Sequence, residues 1–154
     1  KLRRFMTDQR PFEFRPVEQA SLDEPRKRPA LQHVWIRAVD VLPDGLALHQ
    51  NLLAYVSDFE LLATSTLPHG LPFTRGNIML ASLDHALWFH REFRMDEWLL
   101  YSMQSPNASG ARGYARGQFF TRDGTLVAST TQEGLVRVVD PARAGKRSDP
   151  KKQL

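Results

Sequence analysis

Cysteine is absent from the 154 residues. Disulfides, zinc–thiolate sites and cysteine nucleophiles are thereby excluded. Long apolar runs are also missing. The greasiest region reaches only Leu52-Leu53-Ala54-Tyr55-Val56, far short of the ~18 residues a spanning helix needs. Near the start, Arg3, Arg4, Asp8 and Arg10 break any signal-peptide pattern. With no initiator methionine, the chain reads as a fragment or a processed product. A basic stripe on the folded body is missing too. The net charge is +4, but Lys1, Arg3 and Arg4 contribute +3, and Arg143, Lys146, Arg147, Lys151 and Lys152 against Asp149 contribute +4. Residues 5–140 are therefore left at −3. The pI of 9.8 belongs to the ends, and a nucleic-acid partner is not expected.

What is present is ordinary globular composition, 42% hydrophobic and 25% charged. The length suits one domain. Residues 1–30 carry a short alternating strand, Phe12-Glu13-Phe14-Arg15, and a charged loop over 19–30. Val34, Trp35, Ile36 and Val39 predict a strand over 33–41, closed by the Pro43-Asp44-Gly45 turn. Residues 46–66 lack Gly and Pro and predict a helix, closed by Pro68 and Gly70. Apolar residues lie nearly all round it, which predicts burial. Strands are expected over 78–90, 97–105, 113–122 and 125–139. Ser105 to Gly110 is read as a loop, and Asp123-Gly124 as a hairpin turn. From Asp140 onward the chain reads as a basic, disordered tail. The expected organisation is a folded domain over 31–139, with 1–30 part of it or leading into it and 140–154 outside it. A sheet wrapped around one apolar helix satisfies these faces, an α+β architecture.

Asp58 is the most informative residue. On a helix it shares a face with Ala47, Asn51, Ala54, Tyr55, Leu61, Leu62 and Ser65. A carboxylate there must be paired, neutralised or functional, unless it simply reaches solvent or caps a local amide. Desolvation would make it a better base near neutral pH. Ser82 and Asp84 fall on one face of the 78–90 strand, with Leu83, His85, Leu87 and Phe89 on the other. Ser82 is a nucleophile, a water-positioning hydroxyl or an ordinary strand serine. No Gly-x-Ser-x-Gly elbow surrounds it. Gln132 lies in an unusually polar strand segment, Ser129-Thr130-Thr131-Gln132-Glu133, where its amide can donate and accept. Gly110, Gly113 and Gly117 do not form a phosphate loop, because no Gly-Lys-Ser/Thr follows. The histidines lack metal-ligand spacing, and neither a metal nor a cofactor is expected.

Several runs carry a resemblance. They are Val34-Trp35-Ile36-Arg37-Ala38, His49 through Asp58, Leu67-Pro68-His69-Gly70, Ala81-Ser82-Leu83-Asp84-His85-Ala86-Leu87-Trp88-Phe89-His90-Arg91 and Glu97-Trp98-Leu99-Leu100-Tyr101. The hairpin and Ala128-Ser129-Thr130-Thr131-Gln132-Glu133-Gly134 continue it. In this order they resemble the acyl-CoA thioesterase II family, from about residue 12 to 138. The resemblance implies a hotdog fold and hydrolysis of fatty acyl-CoA to fatty acid and coenzyme A. It places the family's helix aspartate on Asp58, its hydroxyl residue on Ser82 and its glutamine on Gln132, which together hold and activate a water.

Full-length members resemble two hotdogs in tandem, and this chain corresponds to the second. A homo-oligomer or an N-terminal hotdog is therefore the expected partner, alongside the acyl-CoA substrate. Bacterial members are cytoplasmic; Lys152-Gln153-Leu154 is only distantly similar to a peroxisomal ending. Three alternatives remain open: a non-catalytic acyl-CoA-binding or scaffolding hotdog, an isolated half inactive without its N-terminal hotdog, and a hotdog dehydratase or hydratase, which would pair a His with Asp or Glu.

Overall fold

A computed structural model describes residues 11–18, 26–71 and 78–139. The expected disordered tail, most of the 19–30 loop and the first ten residues lie outside the described residues. Among the described residues, seven strands form one antiparallel sheet: β1 (Phe12–Pro16), β2 (Leu31–Ala38), β3 (Ile78–Ser82), β4 (Ala86–Phe89), β5 (Leu99–Ser109), β6 (Arg112–Phe120) and β7 (Leu126–Val138). Their order is β1-β2-β5-β6-β7, with β3 and β4 both paired to β7. The helix α1 (Leu46–Ser57) and a 3-10 helix (Leu62–His69) pack on the inner face.

Alternation explains the sheet. Val34, Ile36 and Ala38 are buried on β2, and Leu99, Tyr101 and Met103 on β5, each two residues apart. Ala115 and Phe119 add to the same core from β6, and Leu53 and Val56 enter it from α1. Tyr101 and Phe119 lie flat on one another, with centroids 3.9 Å apart at 11°. Gly117 makes room for that stack, since a Cβ there would sit 2.3 Å from the Tyr101 ring.

Four expectations are corrected. The strand predicted over 33–41 runs over 31–38, and Val39 and Val41 are exposed beyond it. The helix predicted over 46–66 ends at Ser57. Glu60 sits at φ 62°, a left-handed conformation that stops helical propagation. The hydroxyls of Thr64, Ser65 and Thr66 then bond back to the carbonyls of Glu60, Leu62 and Ala63. Such local bonds compete with a regular helix. Nor is α1 buried all round: His49, Leu53, Val56 and Ser57 face the core, while Leu46, Leu48 and Tyr55 are exposed.

The third correction is the strand predicted over 78–90, which breaks at Leu83–His85. Ser82 pairs with Gly134, but Ala86 pairs with Thr131. Four steps on one strand thus oppose three on β7, a bulge of one extra residue. The amides of Leu83 and Asp84 both donate to the Glu133 carbonyl, at 2.9 and 3.3 Å. Asp84 Oδ1 accepts from the Glu133 amide at 2.7 Å, so its side chain replaces a strand partner. The extra residue reverses side-chain parity, so Ser82 and Leu87 both turn inward, opposite Gly134 and Thr130 on the buried face of β7. Fourth, β5 does not stop at Ser105. It runs to Ser109 across a bulge between Gln104 and Asn107. Pro106 is tolerated at that irregularity, and Ser105 Oγ donates to the Tyr114 carbonyl at 2.7 Å.

Candidate active site

Three elements converge beside the β3–β4 break. Asp58 is the residue that caps the C-terminus of α1. Ser82 is the last residue of β3, immediately before the bulge. Gln132 lies on the buried face of β7 with no exposed surface. The structure brings together all three residues singled out in the sequence.

Gln132 joins them. Its Nε2 donates to Asp58 Oδ1 at 2.5 Å and to Ser82 Oγ at 2.9 Å. An amide nitrogen carries two hydrogens, and both are committed. The carboxylate, which can only accept, sets the orientation of the amide. Ser82 Oγ accepts and so keeps its own proton to give. The second oxygen of Asp58 accepts nothing from Gln132. Asp58 and Ser82 are both exposed residues, whereas the Gln132 that joins them is buried. The apolar surround expected for Asp58 is not supplied by this chain: Asn51, Ala54 and Tyr55 on the same side are exposed, and Leu61, Leu62 and Ser65 belong to the turn and 3-10 helix beyond it.

A second layer escaped the sequence reading. Ser57 precedes Asp58 and is fully buried. Its carbonyl accepts from Tyr101 Oη at 2.6 Å. Burial, reinforced by the Asp58 carboxylate, pushes the Tyr101 phenol well above its ordinary pKa, which keeps it a donor. His85 Nε2 lies 2.7 Å from Ser57 Oγ and 3.2 Å from Thr130 Oγ1. His85 was expected on the opposite face from Ser82; the bulge turns both toward α1 and β7. The signal that could have found this layer was present, because Ser57 and His85 sit inside the motifs that carry the resemblance. Pairing them required the register of the bulge.

Far along α1, a cleft of about 350 Å³ is lined by residues including Gly45, His49, Phe93 and Arg94. It contains none of the three converging residues. Among the described residues, no cluster of His, Asp and Glu could hold a metal ion.

A sequence model of the family described as acyl-CoA thioesterase matches residues 3–135. The chain belongs to the acyl-CoA thioesterase family. It is 41% identical over 129 residues to acyl-CoA thioesterase 2 of Haemophilus influenzae, covering 84% of this chain and 45% of that protein. It is 36% identical over 138 residues to the human acyl-coenzyme A thioesterase 8, covering 89% and 43%. The fold is similar to an acyl-CoA thioesterase II from Mycobacterium marinum, with a TM-score of 0.72 at 44% identity over 88% of this chain and 51% of that one. A hotdog-fold protein of Alicyclobacillus acidocaldarius, 17% identical, matches with a TM-score of 0.63 over 84% of this chain. The antiparallel sheet around α1 is thus a hotdog. The chain spans less than half the length of the curated relatives it matches.

Proposed function

We propose that this thioesterase-family chain carries the hydrolytic centre for fatty acyl-CoA thioesters. The observation that carries the reading is the single Gln132 amide donating at once to Asp58 and Ser82. A water donating to the open oxygen of Asp58 and hydrogen-bonded to Ser82 would be held in one place. Asp58 takes its proton as the oxygen attacks the thioester carbonyl and a carbon–oxygen bond forms. The tetrahedral intermediate collapses, the carbon–sulfur bond breaks, and the thiolate of coenzyme A recovers the proton from Asp58. The fatty acid is the other product. Fixing water, base and hydroxyl in register removes much of the entropic barrier.

An acyl-serine route is disfavoured. The ring nitrogen of His85 that makes hydrogen bonds is engaged with Ser57 and Thr130, and Ser82 has Gln132 as its partner. The same placement argues against a dehydratase, which would aim a His at the substrate beside Asp58. The exposure of Asp58 and Ser82 favours a site completed by a second hotdog, from a longer chain or a second copy. It also favours one alternative reading, acyl-CoA binding without turnover by this half alone.

The test is thiol release from a medium- or long-chain acyl-CoA, on this chain and on its Asp58→Asn variant. The substituted carboxamide would still accept from Gln132 through its carbonyl oxygen but could not take a proton. Turnover should vanish in the variant while its circular dichroism and melting stay those of the parent. Near-normal turnover in Asp58→Asn would sink the assignment.

A further inference from the structure

We infer that His85 is a positioning residue for the hydrolytic centre, acting as a neutral or charged Nε2–H donor that latches the end of α1 to β7. The inference rests on the role given to Asp58 above. Its grounds are the protons at the two hydroxyls that His85 meets. Ser57 Oγ donates its one hydrogen to the Ala54 carbonyl at 2.8 Å. Thr130 Oγ1 donates its one hydrogen to the Ala86 carbonyl at 2.8 Å. Both oxygens facing His85 are therefore acceptors, so the proton must sit on Nε2, shared between them at 2.7 and 3.2 Å.

The two acceptors are not arbitrary. Ser57 is the residue before Asp58. Thr130 is two residues before Gln132, on the same buried face of β7. His85 itself ends the three-residue break that begins after Ser82. One ring thus ties together the three segments whose side chains meet at the Gln132 amide. The Ser57 backbone is gripped a second time where Tyr101 Oη donates to its carbonyl. Asp58 leaves α1 from a residue held at both its hydroxyl and its carbonyl. His85 is itself an exposed residue, and His85→Gln, which restores the donor, separates the latch from a loss of stability. An Nε2–H donor is retained whether the ring is neutral or protonated, so the latch needs no particular charge state.

The experiment compares the chain with His85→Ala, His85→Gln and Asp58→Asn. Gln places an N–H close to the position of His Nε2. In nitrogen-15 NMR, His85 should show the Nε2-protonated form. The Gln132 side-chain amide signals, displaced by the short bond to Asp58, should move toward free-amide positions in His85→Ala and stay in His85→Gln. With decanoyl-CoA, kcat should fall roughly 10- to 100-fold in His85→Ala, with KM within about twofold, and His85→Gln should recover most of the loss. A ring protonated on Nδ1 alone, an unmoved Gln132 amide in His85→Ala, or a kcat indifferent to that change would each overturn the proposal. Displaced Gln132 signals in a chain that releases no thiol would leave the latch standing and favour acyl-CoA binding without turnover by this half instead. Loss of turnover in Asp58→Asn with His85→Ala at full rate would do the reverse.

Discussion

Gln132 has two amide hydrogens and gives both to the residues beside it, which makes it the most exacting side chain of the site. Gln132→Leu keeps the bulk but donates nothing. Turnover should fall by roughly 100-fold or more, measured by thiol release, because Asp58 and Ser82 lose their common tether. Gln132→Glu should be at least as damaging near neutral pH. It would set a second carboxylate within hydrogen-bond reach of Asp58, and two like charges there disfavour each other. Asp58, Ser82 and Gln132 were expected to converge because the family resemblance gives each of them a role. Ser57, Tyr101 and Thr130 were not. Ser and Thr on buried faces are common, and a phenol buried by a hydrophobic pattern gives no hint of the carbonyl it reaches.

The loop elements around α1 depend on one carboxylate. Asp96 accepts from Arg94 Nε and Nη2, both at 3.0 Å, and from the Leu42 amide at 2.9 Å. These bonds fasten the turn before α1 to the segment before β5. The Arg94 side chain, with the Leu42 amide, lowers the Asp96 pKa to about 2. A folded value below the unfolded one means that the stabilisation is fully present above the ordinary aspartate range. It is lost as pH falls through about 2. Urea midpoints should therefore drop between about pH 4 and pH 2, and Asp96→Asn should flatten that part of the profile.

Two further elements respond to size. A Cβ at Gly134 would meet Leu62 Cδ2 at 2.3 Å and the Ala81 carbonyl at 2.9 Å, so Gly134→Ala should destabilise by about 1–3 kcal/mol in denaturant titration. The Gly110-Ala111 turn puts both residues at positive φ, 59° and 61°. Ala111→Gly should stabilise by about 0.5–1 kcal/mol, relief of left-handed crowding outweighing glycine's extra entropy. At this scale the β6–β7 hairpin was readable from Asp123-Gly124. The end of α1, the β3–β4 break and the continuation of β5 past Pro106 were not. Each depends on side chains replacing backbone hydrogen bonds, which hydrophobic periodicity does not register.

On the molecule as a whole, large apolar side chains stay exposed on two elements: Leu48 and Tyr55 on α1, and Leu83, Trp88 and Phe89 along the broken edge. A broken edge strand bearing such groups is a surface that pairs. Sedimentation of this chain should show concentration-dependent association, which Trp88→Glu weakens without lowering the melting temperature. A strictly monomeric wild type would place the covering surface elsewhere. The sheet around one apolar helix followed from the alternating strands, and the family resemblance supplied the hotdog. The exposure of half of α1 did not follow, since an apolar face looks the same whether its own chain or another covers it.

The extra residue at Leu83–His85 has a consequence for how the sequence can vary in length. Removing any one residue there would let β3 and β4 fuse into an unbroken edge, with every rung of the ladder filled. Four steps would then separate Ser82 from Leu87, matching the four from Gly134 to Thr130, so both side chains would stay inward. Such a shortened chain would keep the hydroxyl beside Gln132 but lose the kink at which the Leu83 and Asp84 amides share the Glu133 carbonyl. The extra residue is therefore a spacer that shapes the edge, and the inward phase of both strands survives its removal.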